Sequence, residues 1–146
     1  MASIDPQRLD LAAYPVVRDL TTRVSDMDGY GHLNAIRIGH FYEDARAAFY
    51  GVAFAGLKRA RTPVVQLTIR YLNEGHWPGA VQIGTGTLHV GNSSYVMGQG
   101  LFQDGKCLGL CETVLVSTEN GKASPLPDDI RAGAERMRLR SAVFGE

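Results

Sequence analysis

A turn with two carboxylates, a histidine and an asparagine precedes the first long amphipathic segment of this 146-residue chain. Asp26 and Asp28 are separated by one residue, and His32 and Asn34 follow directly after. A carboxylate can act as a general base or as a nucleophile. The N-terminus of a helix has free backbone N–H groups and a positive dipole end, both of which stabilise negative charge. A carboxylate beside a helix start is therefore suited to hydrolysis of an activated acyl group.

The four side chains have different expected roles. Asp28 is the candidate base or nucleophile, whereas Asp26 is expected to bind turn backbone or to orient Asp28. His32 has three alternatives: it polarises an acyl carbonyl, it bonds to Asp28, or it is a satisfied turn histidine. Asn34 is expected to cap the following helix, and its amide is expected to line the site.

The elements around this turn follow from hydrophobic periodicity. Loose alternation from Val16 to Val24 predicts a first strand. From about Leu33 to Phe54, apolar residues recur at three- and four-residue steps, which predicts one bulky helix with Gly56 as its stop. Further apolar runs predict four more strands and a C-terminal helix. Turn signals separate these strands, among them Asn73-Glu74-Gly75 and Asp104-Gly105-Lys106, and the Asp-Gly pair predicts a tight hairpin. The strands are Val64 to Leu72, Ala80 to Val90, Ser94 to Gln103 and Cys107 to Ser117, and the helix runs from about Asp128 to Arg140.

This element order predicts an α+β fold in which a long helix lies on one face of an antiparallel sheet. Glycines inside the predicted strands indicate strong bending, a bulge or the close approach of another segment. The free edges and half-covered face of such a sheet predict an obligate homodimer. Residues 1–146 are expected to form a single domain, with a core of about 16–118, an N-terminal arm 1–15 and a tail helix of about 128–140.

Composition narrows the classes of partner. The chain has 15 basic and 15 acidic residues and a pI near 6.9, so nucleic acid is not an expected partner. No apolar run approaches the roughly 20 residues that span a bilayer, so a soluble, cytoplasmic protein without a membrane partner is expected. Cys107 and Cys111 would lie about 13 Å apart along a strand, which predicts reduced thiols rather than a local disulfide.

Neither a metal site nor a cofactor is predicted. The DMDG segment resembles the start of a calcium loop, but Tyr30 occupies the position of a third oxygen ligand. Arg37 stands where such a loop needs a bidentate glutamate. The aspartates and histidines of the turn and helix also lack the spacing of a transition-metal site.

The motif D-x-D-x-x-G-H-x-N at residues 26–34 and the helical stretch FYEDAR at 41–46 point to a family. With the element order, they resemble the 4-hydroxybenzoyl-CoA thioesterase-like branch of the hotdog-fold acyl-CoA thioesterases, from about Val16 to Ser117. The resemblance implies a central helix wrapped by a curled five-stranded antiparallel sheet. It also implies dimers or tetramers with active sites at the subunit interface. Asp28 is implied as the catalytic aspartate, and backbone amides from Gly31 to Ala35 as the groups that polarise the thioester carbonyl.

The implied reaction is hydrolysis of acyl-CoA, or of an acyl carrier protein thioester, to a free acid. Relatives bring hydroxyls near the thioester from the partner subunit, which corresponds here to the turn containing Ser93 and Ser94. Many relatives carry a second asparagine and an aromatic residue where this chain has Ala35 and Ile36, so the acyl specificity stays open. The candidate CoA-binding cations are Lys58, Arg59, Arg61 and Arg70.

Two other functions on the same fold stay open. An enoyl-CoA hydratase or dehydratase would pair Asp and His within a D-x-N-P-x-H segment. Here Asp28 and His32 are four positions apart, and the Asn-Pro pair is absent. A non-catalytic acyl-CoA-binding hotdog protein would be expected to lose the turn carboxylates, which this chain keeps.

Overall fold

The computed structural model of the protein describes residues 3–57 and 62–140. Five antiparallel strands form the main sheet: β1 (Val16–Thr21), β2 (Val64–Tyr71), β3 (Ala80–Val90), β4 (Ser94–Gln103) and β5 (Lys106–Val116). Their spatial order is β1-β3-β4-β5-β2, so β1 and β2 are the sheet edges. The other elements are α1 (Ala35–Ala53), a hairpin of β6 (Thr118–Glu119) and β7 (Lys122–Ala123), α2 (Asp128–Arg136), and 3-10 helices at Pro6–Leu9, Leu11–Ala13 and Val24–Asp26.

The predicted α+β architecture is confirmed, with differences at element ends. The first strand stops at Thr21 rather than Val24, because the chain enters the 3-10 helix that precedes the turn of residues 26–34, the site turn. The C-terminal helix stops at Arg136 rather than near Arg140. Beyond it the chain is extended and bonds to β3, where the Thr87 N–H donates to the Met137 carbonyl at 2.7 Å. The β6–β7 hairpin is not predicted by the sequence.

Helix α1 packs on one face of the sheet, the inner face. The Asn34 side chain caps the helix by accepting the Ile36 N–H at 2.8 Å, and Gly56, with a φ of +77°, follows the last turn. The buried stripe of α1 packs on alternate residues of the strands, so helix and sheet share one core. This core includes Ile38, Phe41, Tyr42, Ala45, Val81, Ile83 and Leu101.

The N-terminal arm covers the opposite, outer face of the sheet. The Arg8 guanidinium is buried and donates to the carbonyls of Gln99 and Cys111, each at 3.2 Å. The Tyr14 ring lies directly over the strands, because a Cβ at Gly84 would lie 2.5 Å from its Cγ. A Cβ at Gly100 would lie 2.9 Å from the Tyr14 hydroxyl. The strand glycines therefore make room for a side chain of the arm.

Replacing Gly84 by alanine should destabilise the fold by about 1–3 kcal/mol, since the new methyl group overlaps a buried ring. Tyr14 cannot easily move, because its hydroxyl donates to the Arg8 carbonyl at 2.8 Å. The free energy of unfolding from urea denaturation measures the effect. Gly51→Ala is the matched control: this helical position has no heavy atom within 4 Å, so the substitution should be neutral or slightly stabilising. Equal effects of the two substitutions would contradict the close packing of the Tyr14 ring over Gly84.

Candidate functional site

The site turn holds the Asp28 carboxylate by one of its two oxygens. Asp28 Oδ1 accepts the backbone N–H groups of Tyr30 at 2.8 Å and His32 at 3.1 Å. The Asp28 N–H donates to the His32 carbonyl at 2.8 Å, and Gly31 has a φ of +84° that closes the turn. Within the described residues, Oδ2 accepts no hydrogen bond. One oxygen of Asp28 is thus an anchor, and the other is available to a substrate or a water molecule.

The same backbone contacts set the protonation of Asp28. The N–H groups of His32 and Tyr30 hold the pKa of the Asp28 carboxyl below its ordinary value of 3.8, because they bind the charged form more strongly. The group is therefore ionised at neutral pH. The charged carboxylate is the form that both a general base and a nucleophile require.

Asp26 is fully buried and ties the turn together. Its Oδ2 accepts the Arg23 N–H, and its backbone carbonyl accepts the Asn34 N–H, both at 2.8 Å. Its Oδ1 lies 3.6 Å from Arg23 Nη2, which is beyond hydrogen-bonding distance. Of the two roles considered for Asp26, the structure contains the contacts for backbone binding. Among the described residues, no hydrogen bond joins the two aspartate side chains.

Most backbone amides of the predicted oxyanion stretch are already engaged. The N–H groups from Gly31 to Asn34 each donate to an acceptor in the turn or, for Leu33, to the Gly75 carbonyl at 2.8 Å. Ala35 is the first residue of α1, and in the described part of the chain its N–H has no acceptor. The Asn34 side chain is occupied by capping. The amide that remains free for an oxyanion is that of Ala35.

The His32 side chain does not bond to Asp28. Its Nε2 lies 2.9 Å from Oε2 of Glu74, which belongs to the connector between β2 and β3. Sequence reasoning missed Glu74, because it treated Asn73, Glu74 and Gly75 only as a turn signal. Nothing in the local pattern indicates that this turn reaches a histidine so distant in the chain.

A cavity of about 290 Å³ lies beside the site turn, between the end of β1 and the first turns of α1. Arg23 and Asp26 line one side of it, and Arg37 and His40 line the helical side. Sequence reasoning assigned Arg37 and His40 no role in the predicted reaction. Their position next to the turn makes them candidate contacts for an anionic ligand.

Of the remaining predicted residues, the structure describes Ser93, Ser94 and Arg70, and these three lie away from the site turn. Ser93 is in the β3–β4 turn and Ser94 is the first residue of β4, whereas Ala80, at the other end of β3, pairs with Thr21 near the site. An 11-residue strand separates these ends by about 35 Å. Arg70 lines an outer-face cavity together with Arg8, on the other side of the sheet from α1. The other cations, Lys58, Arg59 and Arg61, lie outside the described residues.

In the described part of the chain, no group of three or more His, Cys, Asp or Glu residues is placed so as to hold a metal ion. Among the helices of residues 3–57 and 62–140, none has the length and apolar character needed to cross a membrane.

A profile of the thioesterase-like superfamily matches residues 22–133, which is more than half of the chain and includes the site turn and α1. The chain belongs to the thioesterase-like superfamily. The match begins just before the 3-10 helix that leads into the turn and ends within α2. A comparison with curated proteins gave no match.

Solved structures of similar proteins support the fold of this superfamily member. A predicted thioesterase from Bacillus stearothermophilus is 25% identical, with a TM-score of 0.77 over 87% of this chain and 98% of that one. A thioesterase from Thermus thermophilus, complexed with coenzyme A and zinc, is 26% identical, with a TM-score of 0.76 over 86% and 95%. A 1,4-dihydroxy-2-naphthoyl-CoA thioesterase from Synechocystis is 13% identical, with a TM-score of 0.72 over 84% and 96%, and supports the fold alone. The hotdog fold implied by the sequence resemblance is confirmed.

Proposed function

We propose that the protein is an acyl-CoA thioesterase that hydrolyses a thioester to a free acid and CoA. The observation that carries this proposal is the site turn. It leaves one oxygen of the ionised Asp28 carboxylate without a hydrogen bond, and it leads directly into α1, where the N–H of Ala35 has no acceptor among the described residues. Membership of the thioesterase-like superfamily and the coenzyme A complex of the Thermus relative support the same class of substrate.

In the proposed reaction, Asp28 Oδ2 attacks the thioester carbonyl as a nucleophile or, as a general base, takes a proton from the water molecule that attacks it. The carbonyl oxygen then becomes an oxyanion, which the Ala35 N–H and the positive end of the α1 dipole stabilise. In the nucleophilic alternative, the Asp28 oxygen bonds to the acyl carbon, the C–S bond breaks, and CoA leaves as a thiolate that takes a proton from water. Water then hydrolyses the mixed anhydride, which releases the free acid and restores the Asp28 carboxylate. Arg37 and His40, in the adjacent cavity, are available to contact the anionic parts of the ligand.

We also propose that a second copy of the chain pairs along β2. Every residue of this edge strand is exposed or half-buried, including Val65, Leu67 and Tyr71 at 58%, 46% and 54%. An edge with free backbone groups and apolar side chains is a template for another strand. The other edge, β1, carries Arg18 and Asp19, charges of the kind that protect an edge. Antiparallel pairing of two β2 strands would carry Ser93 and Ser94 of one subunit toward the site of the other.

Replacing Leu67 by glutamate should convert the dimer to monomers, because it places a charge in the centre of the proposed interface. Light scattering after size-exclusion chromatography measures the mass in solution. Val17→Glu on β1 is the control, since Val17 is 45% exposed against 46% for Leu67. A Leu67→Glu variant with the mass of the wild type would contradict pairing along β2.

The two buried, free cysteines, Cys107 and Cys111, suit a reducing compartment, and we place the protein in the cytoplasm. The carrier of the acyl group is expected to be CoA, and acyl carrier protein is the alternative carrier.

A substrate panel tests the proposed activity. Purified protein is incubated with short, long and aromatic acyl-CoAs and with acyl carrier protein thioesters, and the free thiol is measured. Release of thiol well above the uncatalysed rate is expected for at least one substrate. If no thioester is cleaved, the proposal fails. Tight acyl-CoA binding without turnover would then favour a binding protein, and hydration of enoyl-CoA without thiol release would favour a hydratase.

A further inference from the structure

The connector between β2 and β3 brings a carboxylate to the site turn. Glu74 Oε2 lies 2.9 Å from His32 Nε2, and the backbone bond from the Leu33 N–H to the Gly75 carbonyl is immediately adjacent, at 2.8 Å. The side-chain pair and the backbone bond thus join neighbouring residues of the two segments. Within the described residues, the turn and the connector meet at two consecutive positions.

The residues around Glu74 are fixed by the core. The Asn73 side chain donates to the Cys107 carbonyl at 2.8 Å, and the His76 N–H donates to Gln103 Oε1 at 2.9 Å. At Gly75, an added Cβ would lie 2.5 Å from Leu33 Cδ1. The connector therefore approaches the turn more closely than a larger residue at position 75 would allow. Glu74 is presented to His32 by a backbone that has little freedom to move.

We infer that Glu74 is a positioning residue for His32 in the proposed thioesterase reaction. A carboxylate beside Nε2 favours the proton on that nitrogen and leaves Nδ1 as the ring nitrogen that can accept a hydrogen bond at the site. Glu74 thereby gives His32 a defined orientation beside Asp28, with which the His32 side chain itself makes no bond.

The exposure of this pair makes it suitable for a test. The side chains of His32 and Glu74 are 40% and 72% exposed, and exposed ion pairs contribute little to stability. Removal of Glu74 should therefore leave the fold intact. At metal sites, loss of a carboxylate that orients a histidine costs about 10–100-fold, and for this exposed, metal-free pair the low end, about tenfold, is expected.

The test compares Glu74→Ala with Glu119→Ala, which removes an exposed carboxylate from the β6–β7 hairpin. On the best substrate of the panel, Glu74→Ala should lower kcat about tenfold and leave KM and Tm nearly unchanged. The ¹⁵N resonances of the His32 imidazole, measured by NMR, should shift in Glu74→Ala and stay in place in Glu119→Ala. In a His32→Ala background, Glu74→Ala should cause no further loss, because the two residues act as one unit.

The NMR measurement separates this inference from the proposed function. If the wild type cleaves no thioester, the proposed function fails, but a Glu74-dependent shift of the His32 resonances still supports the pairing. Unchanged His32 resonances in Glu74→Ala would overturn the inference, whatever the activity. A full additional loss of kcat in the His32→Ala background would also overturn it, since Glu74 would then act independently of His32.

Discussion

Replacing Asp28 by asparagine is expected to lower kcat/KM for thioester hydrolysis by roughly 10²–10⁴-fold while the protein stays folded. Asparagine keeps an oxygen that can accept the N–H groups of Tyr30 and His32, so the turn retains its two anchoring bonds. The substitution removes the negative charge and the nucleophilic oxygen. Release of free thiol from the best acyl-CoA substrate measures the loss, and Tm measures the integrity of the fold.

Asp19→Asn is the matched control, because Asp19 is an exposed carboxylate on β1 that does not line the cavity beside the turn. Its activity should equal that of the wild type. If Asp28→Asn is as active as Asp19→Asn, Asp28 has no catalytic role. Intact-mass measurement after rapid quenching distinguishes the two mechanisms, since an added acyl mass on the wild type indicates a mixed anhydride at Asp28 and its absence favours attack by water.

The pH dependence follows from the direction of the Asp28 shift. Its pKa in the folded protein is below the ordinary value of 3.8, so the active carboxylate is retained as pH falls and is lost only below that value. Asp28 is therefore expected to contribute no acid limb to kcat/KM between about pH 5 and 8. A fall of kcat/KM toward low pH within that range would contradict the lowered pKa if it persists in His32→Ala and disappears in Asp28→Asn.

Local chemistry made the turn and its elements predictable from the sequence. Periodicity located α1, and Asn34 marked its start, because a side-chain oxygen at this position satisfies free N–H groups of the first turn. The Asp104-Gly105 pair likewise marked the β4–β5 hairpin, where both residues have the positive φ of a tight turn. These features depend on neighbours along the chain, which a sequence displays directly.

Contacts between distant segments were not predictable in the same way. Glu74 reaches His32 only because the β2–β3 connector folds over Leu33, and a charged residue in a polar turn carries no sign of such a partner. Arg70 is a predicted CoA-binding cation, but its position in β2 directs its side chain to the outer face, with Arg8. This follows from the register of β2 with β5, in which Arg70 pairs with Leu110.

Replacing Ala35 by proline is expected to lower kcat/KM by about 10²–10³-fold, the usual cost of removing one oxyanion donor. Proline lacks the N–H that is free at this position. It is well tolerated at the first residue of a helix, where the N–H has no intrahelical partner. The preceding residue must then be extended, and Asn34 already has φ −68° and ψ 136°. The substitution should therefore remove one backbone hydrogen-bond donor from the site with little change in Tm.

The bulk of the proline ring is a second cause of lost activity, and Ala35→Val separates it from loss of the N–H. Valine adds carbon atoms at the same residue but keeps the amide donor, so it should retain most of the activity. If proline and valine cause equal losses, the effect is steric, and the oxyanion must be bound by another group. If proline alone is inactive and KM changes little, the donor acts mainly in the transition state, as an oxyanion contact does. The fixed backbone at the start of α1 would then provide the electrostatic part of the reaction, and Asp28 the attacking or water-activating oxygen.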